Sequence, residues 1–373
     1  MAMNFKKGMN KTISTYEKWW NNELDRGLIP IIVHGDDSDK GAPVIPGHKP
    51  SKFGCTQAMF ADLSVSPKQI IDCCDYAYSK LEFLGDAYPF LNMDFSGPGI
   101  GAVYMGGYFE VNDGLLWFYG QPVDNISDIQ VKYDPNNIWL ERSKEIIREG
   151  MKRWGEEVLI GMPDVGGGID ILASLRGTSK LLLDLYDNPE EVSRLVKEIG
   201  DLWQIYFDEF AAIANNGKLF TNWSGILSKK STQMLQADFS FMTSPDMFDE
   251  FILPELAERC ANLERACYHL DGVGEIPHLD SLLGIEDLKL IQWIPGTGTT
   301  PENKWTDLYD KILSTGRKLQ VTDDSPLCPR QEQLDGIVER KGSLKGVISM
   351  TQAFEFKERD LALRVLDRYG VAD

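Results

Sequence analysis

Short apolar runs that stop abruptly at polar residues recur along this chain. Between them lie longer stretches with apolar positions three and four apart. The first pattern predicts buried parallel strands and the second amphipathic helices. The strand-like runs are LIPIIVHG (from Leu28), DAYPFLNMDF, EVLIGMPD, GKLFTNWSG, STQMLQADFSFM, RACYHLDG, LKLIQWIPGTG, KLQVTDD and SLKGVISMTQAF. Helical periodicity marks Ser14 to Leu24, Pro67 to Phe83, ERSKEIIREGMKRWGEE, a long stretch broken near Asn188 and Pro189, SPDMFDEFILPELAERC and TPENKWTDLYDKILSTG. Strands alternating with long helices indicate a parallel sheet, and roughly eight such units favour a (β/α)8 TIM barrel over an open doubly wound sheet. No break in composition divides the chain, so the expectation is a single barrel domain over 1–373. Residues 1–27 form an N-terminal helical extension, and the turn-rich segment Asn112 to Tyr133 is a small inserted hairpin.

In an αβ-barrel the carboxyl ends of the strands carry the chemistry, so the polar residues that end each run are the candidates. RACYHLDG ends in His269 and Asp271, two apart and therefore on one strand face. Imidazole beside carboxylate suits a metal-ligand pair, a general base with its orienting acid, or a plain hydrogen-bonded pair. Asp164 and Asp238 end two further runs and complete the candidate catalytic set. His34, Asp36, Asn92, Asp94, Trp223, Gln236, Gln292, Trp293 and Asp323 are the candidate substrate-binding residues. Cys267 shares the face of His269, two residues deeper. Asp164 precedes Gly166, Gly167 and Gly168, a run that lets backbone approach a ligand closely or makes a sharp strand-to-helix turn. The GPGIG after Asp94 is a weak phosphate signal, because the Rossmann spacing is missing.

Composition narrows the partners. A net charge of −19 without a long basic run argues against nucleic acid or an acidic membrane. No run of about 18 apolar residues exists, and the first residues lack the apolar core of a signal peptide, so the cytoplasm is the expected location. The six cysteines form no CxxC pair. No GxxxxGK[ST], HExxH or GxSxG occurs, which removes P-loop, zincin and α/β-hydrolase chemistry from the leading readings.

YHLDGVGEIPHLDSLLGIEDLKLIQWIPGTG, VLIGMPDVGGGIDILASLRGTSKLLLDLYDNPEEV and LQADFSFMTSPDMFDEFILPEL resemble successive segments of the uroporphyrinogen decarboxylase and cobamide-dependent methyltransferase superfamily. The resemblance runs from about Leu28 to the C-terminus and implies the same (β/α)8 fold, reached independently above. It also implies a homodimer. The decarboxylase branch grips its polycarboxylate substrate with an Arg-rich first strand. Here that strand is followed by Asp36, Asp37 and Asp39, which disfavours uroporphyrinogen decarboxylation itself. The methyltransferase branch implies zinc, held by His-x-Cys and a distant Cys. This chain has His269-x-Asp271 and no Cys in VISMTQAF, so the implied metal ligands are His269 and Asp271. The leading expectation is a corrinoid-dependent methyltransferase-like enzyme acting on a small methylated substrate. The corrinoid would be carried by a separate protein, since no Asp-x-His-x-x-Gly motif is present. A cofactor-free lyase or hydrolase acting on a neutral, hydroxyl-rich molecule is the alternative.

Overall fold

The computed structural model describes residues 5–35, 41–296, 305–322 and 330–371. The molecule is a mixed α/β fold. Its largest sheet has five parallel strands in the order Val347–Ser349, Lys318–Val321, Leu288–Ile294, Ala266–Asp271 and Met234–Leu235. Nearly every residue of these strands is buried, as their continuous apolar runs require of a sheet covered on both faces. A second sheet places Pro30–His34 between Gln352–Phe354, parallel, and Leu81–Gly85, antiparallel. Phe90–Leu91 pairs in parallel with Leu159–Ile160. Backbone bonds stitch these pieces together. Leu28 donates to the Val347 carbonyl at 3.0 Å, and Met162 to that of Thr221 at 2.8 Å.

The opening helix runs Met9–Trp20, five residues earlier than its amphipathic stretch suggested. Tyr16, Trp19 and Trp20 are buried with Leu28, Leu159, Met234, Cys267, Leu290 and Ile348 in a cluster beneath the amino ends of the strands. The Trp19 and Trp20 indole N–H groups donate to the carbonyls of Val347 (3.2 Å) and Leu227 (3.0 Å). The helical extension therefore seals one end of the sheet system, and the polar strand ends open at the other.

Three local readings change. The helix predicted over Pro67 to Phe83 is Pro67–Tyr78, capped by Ser66 and Gln69, and Leu81–Gly85 is instead the antiparallel strand. Apolar residues after Lys80 fit either pattern, and pairing with Pro30–His34 decides it. The hairpin lies at Tyr108–Asn112 and Leu115–Tyr119, earlier than predicted, turning at Asp113 and Gly114, both with positive φ. SLKGVISMTQAF gives two strands, Val347–Ser349 and Gln352–Phe354, one in each of the two larger sheets.

Candidate active site

Three neighbouring strands of the main sheet align His269, Gln292 and Gln320 as direct register partners. Each is a polar residue inside an apolar run, and all three are buried. Their hydrogen bonds form one directed chain. The Ser224 carbonyl can only accept, so the group facing it at 3.1 Å is the Gln320 amide Nε2. The Gln320 Oε1 then accepts from Gln292 Nε2 at 2.7 Å. Gln292 Oε1 is thereby left to face His269 Nδ1, which must donate. The fixed Ser224 acceptor, relayed through Gln320 and Gln292, thus puts hydrogen on Nδ1 of His269, so that in the neutral ring Nε2 is the nitrogen with the lone pair.

The imidazole has acidic company. His269, Asp271 and Asp238 each offer a ligand atom, and these atoms lie within 4.8 Å of one another. Asp271 ends the same strand as His269, one alternation further on. Asp238 opens a short 3-10 turn, Asp238–Met242, after the neighbouring strand. The turn is held by Asp170, whose carboxylate accepts from the backbone N–H of Asp238 (3.1 Å) and Phe239 (2.8 Å). Glu275 steadies the other side: its Oε2 accepts from the Asp271 N–H at 3.2 Å and the Tyr268 hydroxyl at 3.3 Å.

More carboxyls surround this centre. Asp164 is buried and accepts from the Gly166 N–H at 2.9 Å. Burial raises its pKa well above the usual carboxylate range, and the charges of Asp94, Asp238 and Asp170 add to the effect. Asp94 is raised by desolvation to about 6, against the opposing Asn92 Nδ2 bond at 2.6 Å. Burial also raises Asp238, despite the attraction of His269. Asp94 and Asp238 nonetheless keep exposed surface. Both facts hold for side chains that face a concave recess, wet on one side and walled by protein on the others.

Trp223 joins this acidic group to a larger cavity. Its ring meets that of His269 edge-on, with centroids 5.2 Å apart, and its carbonyl accepts from Asn92 at 3.3 Å. Trp223, Asn92 and Asp94 all line a cavity of about 780 Å³ whose other walls include Phe53, Phe83, Tyr88 and Phe90. This size suits a small-molecule ligand.

The structure brings together Asp164, Asp238, His269, Asp271 and Gln292, with Asn92, Asp94 and Trp223 beside them. His34 ends its strand against Phe53 at 5.4 Å, behind the cavity wall. Gln236 is buried outside the cavity lining. Trp293 points away from the cavity, because neighbours on a strand face opposite sides. With Gln292 turned inward, Trp293 packs on Trp305 at 4.9 Å in the outer core. Cys267 is fully buried in the lower cluster against Thr232, so no thiol reaches the centre from that strand. Asp36 and Asp323 lie outside the described residues. The sequence reading missed Asp170, Glu275 and Gln320. Gln320 carries the same signal as Gln292, a lone amide in an apolar run.

The raised carboxyls fix a pH response. Each binds its proton more tightly when folded than when unfolded, so stability falls as pH rises between its unfolded and folded values. Asp170 and Glu255 are raised by burial to about 7, and Glu275 to about 10. Burial lowers His278 from 6.5, and its opposing effect begins only below that value. Chelator-treated protein should therefore melt at a higher temperature at roughly pH 6.5 than at roughly pH 8.5. Thermal scans across that range check the sign.

No protein-family model matches the chain, and no curated protein does. Among solved structures, a methyltransferase from Methanosarcina mazei superimposes with a TM-score of 0.56 at 11% identity, covering 96% of this chain and 99% of that one. At that identity the likeness speaks for the fold alone, a mixed α/β architecture shared over nearly the whole length. Among the described residues, no helix is long and apolar enough to cross a membrane.

Proposed function

We propose that this chain is a methyl-transfer enzyme of the uroporphyrinogen decarboxylase and cobamide-dependent methyltransferase superfamily. In this reading it is a single-domain (β/α)8 barrel that works as a cytoplasmic homodimer, with a divalent metal, zinc first, at Asp238, His269 and Asp271. The observation that carries it is the bond of His269 Nδ1 to Gln292, in a cluster where His269, Asp238 and Asp271 each offer a ligand atom. An imidazole whose other nitrogen donates to an outer partner is the usual dress of a metal-binding histidine. Two carboxylates and one imidazole fit a catalytic zinc site with three protein ligands and an open fourth position. The fold likeness to a methyltransferase adds support.

When bound, the metal would supply a Lewis acid for the heteroatom that bears the methyl group. A corrinoid brought by a separate protein would supply a two-electron nucleophile for the methyl carbon. The chain's own residues orient and exclude. Gln292 and Gln320 hold the imidazole plane, Asp170 and Glu275 hold the two carboxylate-bearing segments, and Trp223 separates the centre from the bulk of the cavity. Asp164, whose carboxyl is held well above the usual range by burial and by its acidic neighbours, would donate a proton as the heteroatom departs.

The alternative, a metal-free lyase or hydrolase, draws on Asp94 and Asp164, both raised by burial, Asp94 to about 6, as acid and base groups. Exhaustive chelation discriminates. Methyl transfer from a methylated substrate to reduced corrinoid should be lost on chelation and return when zinc is added back. Full activity without metal would reject the metal-centred reading and favour the alternative.

A further inference from the structure

We infer that a pocket under the amino ends of the main-sheet strands binds a phosphate group, held between Arg317 and Lys318, at the end of the strands opposite the acidic centre. The inference stands apart from the methyl-transfer reading and uses none of its residues.

The pocket has a volume of about 530 Å³, and its lining gathers Lys230, Arg265, Lys289, Arg317 and Lys318 against Glu264 and Glu286. The whole chain has 38 lysines and arginines against 57 acids, so this gathering runs against its composition. The strands produce it. Arg265 stands just before Ala266–Asp271, Lys289 is the second residue of Leu288–Ile294, and Lys318 opens Lys318–Val321. These three strands are parallel neighbours, so their first residues meet at one edge.

Three of the cations have acidic partners. Arg265 pairs with both oxygens of Glu17 at 2.6 and 2.9 Å. Lys230 lies 3.6 Å from Glu264, and Lys289 lies 3.5 Å from Asp287. Arg317 and Lys318 differ. Arg317 Nη2 donates to the carbonyls of Leu283 at 2.9 Å and Ile285 at 2.6 Å, and Lys318 Nζ donates to the side-chain oxygen of Asn22. Those partners are neutral, and among the described residues neither cation has a carboxylate within ion-pair distance. Lys318 is only 4% exposed, a costly place for an ammonium without a counter-ion. Burial, then the charges of Lys345 and Arg265, pull its amine down to about 8.

Two adjacent uncompensated positive charges match the double negative charge of a phosphate group. The guanidinium offers a planar fork and the ammonium a compact charge. A carboxylate ligand would answer only one of them. Glu286 is exposed at the same pocket, where solvent screens it. A polymeric anion or an acidic membrane would meet the net charge of −19 on the rest of the chain. Free phosphate and the phosphate of a small ester present the same chemistry here. Trp20, Asn21 and Asn22 also line the pocket, so an occupant ties the end of the helix Met9–Trp20 to the strands.

Calorimetric titration of the full chain with inorganic phosphate, AMP and acetate at matched ionic strength tests the inference. Phosphate should saturate one site, and acetate should bind about tenfold more weakly. Arg317→Gln should weaken phosphate binding by about tenfold. Because Arg317 also holds two carbonyls, Lys230→Ala combined with Lys289→Ala gives a second reading. Both side chains are partly exposed, and the pair should weaken binding by about threefold. Lys152→Ala, on the helix Ile138–Trp154 and outside the lining, should leave it unchanged. AMP binding tighter than phosphate assigns the site to a phosphate ester, and AMP equal or weaker assigns it to the free anion; either supports the site. No saturable binding of phosphate or AMP, acetate as tight as phosphate, or unchanged affinity in both cation variants overturns it.

Discussion

His269→Ala should abolish specific zinc binding and reduce methyl transfer to background. Removing an outer partner of a metal ligand typically costs about 10- to 100-fold in affinity, and His269 is itself the only nitrogen donor of the three-residue centre. The fold should survive. The substitution strands Gln292 Oε1, an unpaired buried acceptor worth about 1–3 kcal/mol of stability. Calorimetric zinc titration with urea unfolding on the same protein separates the two effects. A variant that binds zinc like the parent would show that the carboxylates alone make the site, or that the site is not a metal centre. Gln292→Glu is a useful companion. It keeps an acceptor for His269 Nδ1 while breaking the donor to Gln320, so it should retain most of the zinc affinity.

Gly167→Ala should destabilise the chain by about 3 kcal/mol, the upper range for forcing atoms into a packed interior. It should also weaken zinc binding although it touches no ligand. A Cβ at this position would stand 2.0 Å from the backbone oxygen of Gln236 and 2.6 Å from Asp170 Oδ2. Backbone cannot step aside as a side-chain tip does, and Asp170 holds the turn that presents Asp238. Gly168→Ala is the control: its Cβ would meet the end of the Glu255 side chain at 3.0 Å, a side-chain tip and not backbone. Urea midpoints and zinc affinities of the two variants give the comparison. Equal losses at both positions would mean that the Gly167 contact does not fix the Asp238 segment.

That pair also shows what a linear reading conveys. The glycine run after Asp164 reads as a place where backbone nears a ligand or turns sharply into a helix, and the structure shows Gly167 in close approach to backbone instead. The object approached is the neighbouring strand end at Gln236, a partner 69 residues away that no local pattern names. His269 and Asp271 were legible because strand alternation is a local rule. The same rule, applied to Gln292 and Trp293, would have separated them, since only one of two adjacent residues can face inward. Asp170 and Glu275 were not legible. Both lie in helical turns after a strand, where an acid reads as a solvated first-turn residue, and only the tertiary arrangement turns them towards backbone N–H groups. The helix expected to run to Phe83 stops at Tyr78, because the apolar residues from Leu81 to Phe83 fit either period over so short a run.

The central claim is that a metal sits on Nε2 of His269 between Asp238 and Asp271. An anomalous difference map from a zinc-soaked crystal, recorded at the zinc edge, tests it most directly. The account predicts one strong peak at about 2.0–2.1 Å from Nε2 and at similar distance from an oxygen of each aspartate, with Nδ1 still facing Gln292. A peak on Nδ1, a peak at other residues, or no peak at saturating zinc would contradict it.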